Sequence, residues 1–572
     1  MNLKHSPWSH SSLRKSAAAL AATALLLAGC SGSGNHPDKE TAQASDSVSA
    51  APEVSVAASP AAASSPTQPA LTVDEQPGTV YYEIFVRSFY DSDGDGIGDL
   101  RGVTQKLDYL NDGDPATTDD LGVGGIWLMP VNPSPSYHGY DVTDYRTINP
   151  DYGTLEDMKE LIREAHKRGI KVIMDLVVNH TSKEHPWFVD AAKGGEHRDW
   201  YVWAEDSGRT PSGSSATGSG NPWHSVLGSH YLGVFWDGMP DLNFDQPEVR
   251  TEMKDIGKFW LELGLDGFRL DAAKHIYEDL LSDKSEATTD KNVAWWQEFR
   301  SSMNEINPEA YIVGEVWENS ATAVGAYLDK AFDSGFNFGL AESLVNSAKT
   351  ETNSGIAFTL ERTYKLYSTI SGGAFTDAIF LSNHDQNRVM SVLANNSDHA
   401  KTAAAMLLTL PGNPFIYYGE EIGMLGVKPD EGIREPMVWS ADAASAGTAT
   451  WEPGTNNAGN SGGDVASQSA EDDSLLSRYR QLIAARSEVE ALNSGDIRDY
   501  ALDNSGIMAF ERISAKQQVL VVHNLSGQPQ EIVLHSGSNN VTYSKVLKMI
   551  PGTAAVDAGK LTLGPYSSAI LE

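Results

Sequence analysis

Residues 154–178 read TLEDMKELIREAHKRGIKVIMDLVV, and two different periods meet inside them. Leu155, Met158, Leu161, Ile162 and Ala165 recur at helical spacing, whereas Ile170–Val178 is a short β-branched apolar run between Gly169 and Asn179. Thr154 can cap the helix with Asp157 three residues on, and Lys167, Arg168 and Gly169 suit its end. An almost continuously apolar strand behind an amphipathic helix points to a parallel sheet covered by helices. Before it, TVYYEIFV (79–86) and GIWLMP (125–130) start at intervals of about 45 residues. Leu265–Leu270, Tyr311–Val313, a weaker run near Phe332–Phe338, Ala378–Leu381 and Pro414–Tyr417 follow. Eight such units predict an α/β chain closed into a (β/α)8 TIM barrel, with its working groups at the C-terminal ends of the strands.

One interval is too long. Asp175 and Asp271 are about two units apart, and residues 181–240 between them are rich in Trp, Gly and Ser. That stretch reads as a subdomain inserted after the third strand of a barrel spanning 76–490. Beyond it, Ile507–Arg512, Val519–His523 and Glu531–His535 are strand-like runs between turn residues, which predict a C-terminal β-sandwich over 491–572.

The other end of the chain reads as an address and a tether. Residues 1–30 carry Lys4, Arg14 and Lys15, no acid, and a mainly apolar stretch from Ala17 to Gly29. Leu27-Ala-Gly-Cys30 resembles the lipobox of bacterial lipoproteins, and Cys30 is the only cysteine of the chain. The resemblance implies an exported protein lipidated at Cys30 and anchored in the cell envelope. Ser31 in the next position points to the outer membrane or cell surface. Residues 31–75, rich in Ala, Ser and Pro without an aromatic residue, suit a flexible linker. One cysteine leaves no internal disulfide framework and no Cys-rich metal site. With 42 Lys+Arg against 77 Asp+Glu, the net charge of −35 argues against a nucleic-acid partner. A monomer is expected.

Three acids fall where barrel strands end. Arg269-Leu270-Asp271 places a guanidinium and a carboxylate on one face of a strand. A carboxylate in that company stays ionised, as a nucleophile must. Glu315 follows one unit later and Asp385 two units after that, so all three would converge on one pocket.

These residues lie in segments that resemble the signature regions of the α-amylase family of glycoside hydrolases. The segments are Asp175-Leu-Val-Val-Asn-His180, Gly267-Phe-Arg-Leu-Asp-Ala-Ala-Lys-His275, Gly314-Glu-Val-Trp317 and Phe380-Leu-Ser-Asn-His-Asp385. They stand in the family's order, with Met239-Pro-Asp-Leu-Asn243 resembling a fifth. The resemblance implies that Asp271 is the nucleophile, Glu315 the general acid and then base, and Asp385 the carboxylate holding the sugar hydroxyls. It makes Arg269, His180 and His384 hydrogen-bonding groups around the sugar and Tyr140 the platform beneath it. Retaining hydrolysis needs such a pair of carboxyl groups across an oxocarbenium-like state, with the acid's pKa raised and the nucleophile charged.

The resemblance also narrows the substrate. Lys274-His275 is similar to the α-amylase form of the second segment, where the pair binds the leaving-group side. Tyr137 stands where exo-acting relatives place an acid, and Ala272 stands where α-1,6-preferring ones place Val. These favour cleavage inside α-1,4-glucans such as starch and maltodextrins. Residues 91–100 and 179–187 are closer to the oligoglucosidase branch. An oligosaccharide-acting α-glucosidase, cyclomaltodextrinase or transglycosylase is therefore the alternative, and a non-catalytic glucan-binding protein the third.

Asp91-Ser-Asp-Gly-Asp-Gly-Ile-Gly-Asp99 spaces acids two apart around glycines, as a calcium loop does, but Gly102 stands where an EF-hand has Glu. The resemblance implies a Ca2+ cofactor held by Asp91, Asp93, Asp95, the Ile97 carbonyl and Asp99. Asn179 matches a ligand of a second calcium site whose partners in the insertion are not legible in the sequence.

Overall fold

The computed structural model describes residues 78–282, 285–442, 444–458, 462–550 and 552–572. The leader 1–30 with its lipidation position Cys30, and the linker 31–75, lie outside the described residues. No helix among the described residues is long and apolar enough to cross a membrane.

The helix Leu155–Lys167 begins with the reciprocal cap that its sequence offers. Thr154 Oγ1 accepts the Asp157 N–H at 3.3 Å, and Asp157 Oδ2 accepts the Thr154 N–H at 2.9 Å. Its apolar stripe is buried, and the strand Lys171–Leu176 follows. Seven more parallel strands join it: Tyr81–Ile84, Gly125–Leu128, Gly267–Leu270, Tyr311–Gly314, Ser334–Gly335, Ala378–Phe380 and Asn413–Tyr417. In chain rank they lie in the order six, five, four, three, two, one, eight, seven. A parallel bridge from Phe336 to Ala378 joins the two edges, so the sheet closes as a (β/α)8 barrel. Two runs are shorter than their apolar stretches suggest. The first strand stops at Ile84 and turns helical over Val86–Phe89, and the sixth is only two residues long.

Period-two alternation divides the strands between two cores. Tyr82, Ile84, Ile126, Leu128, Val172, Met174, Phe268 and Ile312 pack outward under the helices. Tyr81, Trp127, Ile173, Tyr311, Phe336, Phe380 and Phe415 fill the barrel. Tyr81 is stacked between Tyr311 at 5.2 Å and Phe415 at 5.0 Å. Two residues further along the inward rows stand Glu83, Asp175 and Arg269, paired in register as Glu83 with Trp127 and Asp175 with Arg269. The apolar plug is thus the floor of a charged layer at the strands' C-terminal ends.

Between the third and fourth strands, residues 181–240 carry the helix Pro186–Ala192 and the hairpin Trp223–Val226 with Ser229–Leu232. The insertion is tied to the barrel by antiparallel bridges His180–Asp241 and Tyr201–Leu242. After the barrel, a five-stranded and a three-stranded antiparallel sheet follow. Ile507, Leu520 and Val522 of the first share a buried core with Ile532, Leu561 and Leu563 of the second, as in a sandwich.

Candidate active site

Arg269 organises the cleft. It is 1% exposed, and its Nη1 donates to Asp175 Oδ1 at 2.6 Å and to Asp271 Oδ1 at 2.8 Å. Its Nη2 lies 3.1 Å from Glu315 Oε1, and Glu315 Oε2 accepts the Ala272 N–H at 3.0 Å. Ala272 itself has φ +49°, a left-handed backbone that a non-glycine residue adopts at a cost of about 1–3 kcal/mol. That turn directly follows Asp271 and delivers the N–H to Glu315.

Asp385 joins the same network through His384. Its Oδ2 lies 3.1 Å from His384 Nε2, which also meets the Tyr140 hydroxyl at 2.7 Å. Tyr140 in turn donates to Asp175 Oδ2 at 3.0 Å. Asp271, Glu315 and Asp385, distant in the chain, therefore belong to one hydrogen-bonded set. His384 and Arg434 hold the Asp385 carboxyl far below the usual carboxylate range, against its burial.

Burial raises the Asp271 carboxyl, with Glu315 and Asp175 adding to the rise and Arg269 opposing it. One guanidinium serves three acids here.

The remaining expected residues are placed as follows. His180 is buried, which depresses it to about 3, and its two ring nitrogens meet the Tyr140 carbonyl at 3.1 Å and Asn179 at 3.3 Å. Lys274 Nζ donates to the Trp317 carbonyl at 3.1 Å and to Glu318 at 2.8 Å, and His275 Nδ1 is against Asp279. Trp317 is 42% exposed and rests flat on Phe338, with ring centroids 4.4 Å apart.

Two polar partners in this network escaped sequence reasoning. Glu83 meets His384 Nδ1 at 2.5 Å. Its signal was a lone charge in the otherwise apolar run Tyr81–Ile84. Arg434 Nη2 meets Asp385 Oδ1 at 2.8 Å, while its Nε donates to the His384 carbonyl at 3.0 Å. It lies in a loop whose pattern signals nothing.

At the acidic loop, carboxylate oxygens of Asp91, Asp93 and Asp99 lie within 4.8 Å of one another. Asp91 and Asp99 are buried, and none of the three pairs with a basic side chain among the described residues, so the set fits a divalent cation. Asp95 stands outside this group and accepts the Ile97 N–H at 2.8 Å. The structure also supplies a partner for Asn179: its Nδ2 donates to Asp241 at 3.2 Å, while its buried Oδ1 has no hydrogen-bond partner among the described residues. Burial pushes the Asp241 carboxyl up to about 8.

Residues 83–495 match the family profile described as "Alpha amylase, catalytic domain". The chain belongs to the α-amylase family. Residues 507–570 match a second profile, "Alpha-amylase SusG C-terminal domain". The chain is 43% identical to "Alpha-amylase 3" of Dictyoglomus thermophilum over 86% of its own length and 93% of that protein. It is 33% identical to a 4-alpha-glucanotransferase of Thermotoga neapolitana over 78% of itself and 95% of the relative. The crystal structure of an α-amylase from H. orenii superposes with a TM-score of 0.79 at 46% identity, covering 87% of this chain and 99% of that one. This α-amylase-family barrel thus carries its charged layer at the strand ends where the family's catalytic groups were expected.

Proposed function

We propose that the chain is a retaining α-amylase that cleaves internal α-1,4 bonds of starch and maltodextrins. Glu315 donates its proton to the glycosidic oxygen while Asp271 attacks the anomeric carbon, giving a covalent glycosyl-enzyme and a free reducing-end product. Glu315, now a carboxylate, takes a proton from water, whose oxygen displaces Asp271. The observation that carries this reading is the sharing of one buried guanidinium by Asp271 and Glu315. Arg269, also bonded to Asp175, stays fixed while charge moves between its partners. Asp385, His384 and Tyr140 form the opposite wall against the sugar.

Calcium belongs to the proposal as a structural cofactor: Asp91, Asp93 and Asp99 would hold one ion, Asn179 and Asp241 a second. Bound there, an ion would neutralise the carboxylates and fix the loops.

Glu315→Gln keeps the shape and removes the acid, so kcat on amylose is expected to fall about 10²–10⁴-fold. Parent-level digestion by this variant would refute the assignment. A second reading, transfer to another sugar, draws on Trp317: its exposed indole two residues beyond Glu315 offers an apolar face that suits an incoming sugar better than water. Chromatography of products from amylose, pullulan and maltotriose separates the two. Chains longer than the substrate report transfer.

A further inference from the structure

His384 is enclosed by acids on both sides of its ring. Nδ1 lies 2.5 Å from Glu83 Oε1, and Nε2 lies 3.1 Å from Asp385 Oδ2. His384 and Glu83 are fully buried, 0% and 1% exposed. A neutral imidazole has one N–H and one lone pair, so one of its nitrogens would present a lone pair to a carboxylate oxygen. The Tyr140 hydroxyl, 2.7 Å from Nε2, offers no relief, because it already donates to Asp175 Oδ2. Proton directions are consistent when both ring nitrogens donate.

We propose that Glu83 is a positioning residue for the reaction, holding His384 as an imidazolium whose charged Nε2–H faces the sugar-binding wall formed by Asp385 and Tyr140. The inference rests on the hydrolase reading above for its effect on rate, but the charge state of the ring stands on this geometry alone. Groups from every neighbouring element bear on the ring. Glu83 comes from the first strand, Trp127, edge-on at 5.6 Å, from the second, and Asp175 from the third. Tyr140 is stacked on it at 5.5 Å, and Asp385 follows it in its own loop. Arg269 and Arg434 are the opposing cations, the latter bonded to the His384 carbonyl rather than to the ring. Carboxylates outnumber cations around the ring, and Asp385 and Glu83 together lift the imidazole to about 10 despite its burial. Burial raises the Glu83 carboxyl while His384 and Arg269 pull it back. With Asp385 ionised on the other nitrogen, the shared proton belongs on the ring.

The role differs from mere packing. In Glu83→Gln the amide has the same shape and can donate to Nδ1, so the ring keeps its place but is free to become neutral. Loss of a charge-assisted hydrogen bond to the sugar is expected to lower kcat/KM on maltodextrin about 10- to 100-fold, mainly in kcat. The variant is also expected to lose activity at a lower alkaline pH than the parent, because only Asp385 remains to hold the proton on the ring. A Glu83→Gln enzyme with parent kcat/KM, or with reduced kcat/KM and the parent's pH profile, would overturn the charged role.

The free protein gives an answer that needs no activity. Long-range ¹H–¹⁵N spectra of histidine-labelled protein at pH 8.5 should show a ring with both nitrogens protonated, and in Glu83→Gln this ring should lose its second proton at a lower pH than in the parent. If the parent shows no such ring, or one whose Nδ1 is bare because the proton sits on Glu83, the inference fails even if the enzyme hydrolyses starch. If the ring is charged but Glu315→Gln remains fully active, the fault lies in the hydrolase reading instead. Should Glu83→Gln not fold, the parent spectrum alone still decides the charge state.

Discussion

Single side chains in this protein are governed by how many acids must share each cation. Asp175, Asp271 and Glu315 divide Arg269, while Glu83 and Asp385 divide His384. Where no cation pairs directly with it among the described residues, a buried acid is raised toward keeping its proton. Glu420 accepts from the Tyr479 hydroxyl at 2.8 Å, its other oxygen has no hydrogen-bond partner among the described residues, and burial pushes it up to about 8. Its folded pKa lies above the unfolded value, so the folded state binds the extra proton. The stability this provides is complete below about pH 4.3 and is lost as pH rises through about 8. Urea midpoints measured at pH 5, 6.5 and 8 are therefore expected to decline more steeply in the parent than in Glu420→Gln. Equal slopes would show that Glu420 is ionised throughout.

Elements follow local rules wherever their ends are chemically marked. The helix Leu155–Lys167 is bounded by a reciprocal cap at Thr154, with Glu156 and Asp157 in its first turn and His166 and Lys167 in its last. Thr154→Ala is expected to cost about 1 kcal/mol, because it removes one arm of the cap and leaves an N–H without its acceptor. Denaturant titration at pH 7 checks this, with Thr154→Ser restoring most of the loss. The sixth strand shows the opposite case. Ser334–Gly335 has almost no ladder of its own, and the barrel seam is completed by the Phe336–Ala378 bridge and by Asn337 N–H donating to the Ala378 carbonyl at 2.9 Å. Closure, rather than local propensity, makes that segment a strand.

At the scale of the whole chain, two kinds of joint hold the parts together. The C-terminal sandwich is fastened to the barrel by a buried guanidinium, that of Arg512, which caps carbonyls instead of pairing with an acid. Arg512 of the sandwich donates to the Thr409 carbonyl of the barrel at 2.6 Å and to Gly495 at 2.6 Å, and within the barrel Arg486 caps Leu408 at 3.0 Å and Gly412 at 2.6 Å in the same way. Burial pulls both guanidiniums below their ordinary range. The acidic loop is the other joint. Asp91 N–H donates to the Gly447 carbonyl at 3.0 Å, and the Thr450 N–H to the Gly96 carbonyl at 2.8 Å. A cation bound by Asp91, Asp93 and Asp99 would stabilise the folded chain by mass action, about 2.7 kcal/mol at a hundredfold excess over Kd. Chelator is therefore expected to lower the unfolding temperature, calcium to restore it, and Asp93→Asn to shrink the difference. An unfolding temperature insensitive to chelator would remove calcium from this loop.

Eight strand runs, the capped helix, the site of the insertion and the chain positions of Asp271, Glu315 and Asp385 were legible from sequence, because period and spacing are properties of consecutive covalent units. The partners of those residues were not. Glu83 and His384 are 301 positions apart, and Arg434 reaches Asp385 across 49. Neither pairing leaves a local pattern, since each exists only when the barrel closes and turns its inward rows toward a common axis. The chain order thus determined which charges the cleft contains. Closure decided how they share their protons, because that depends on distance and burial, which exist only in the folded molecule.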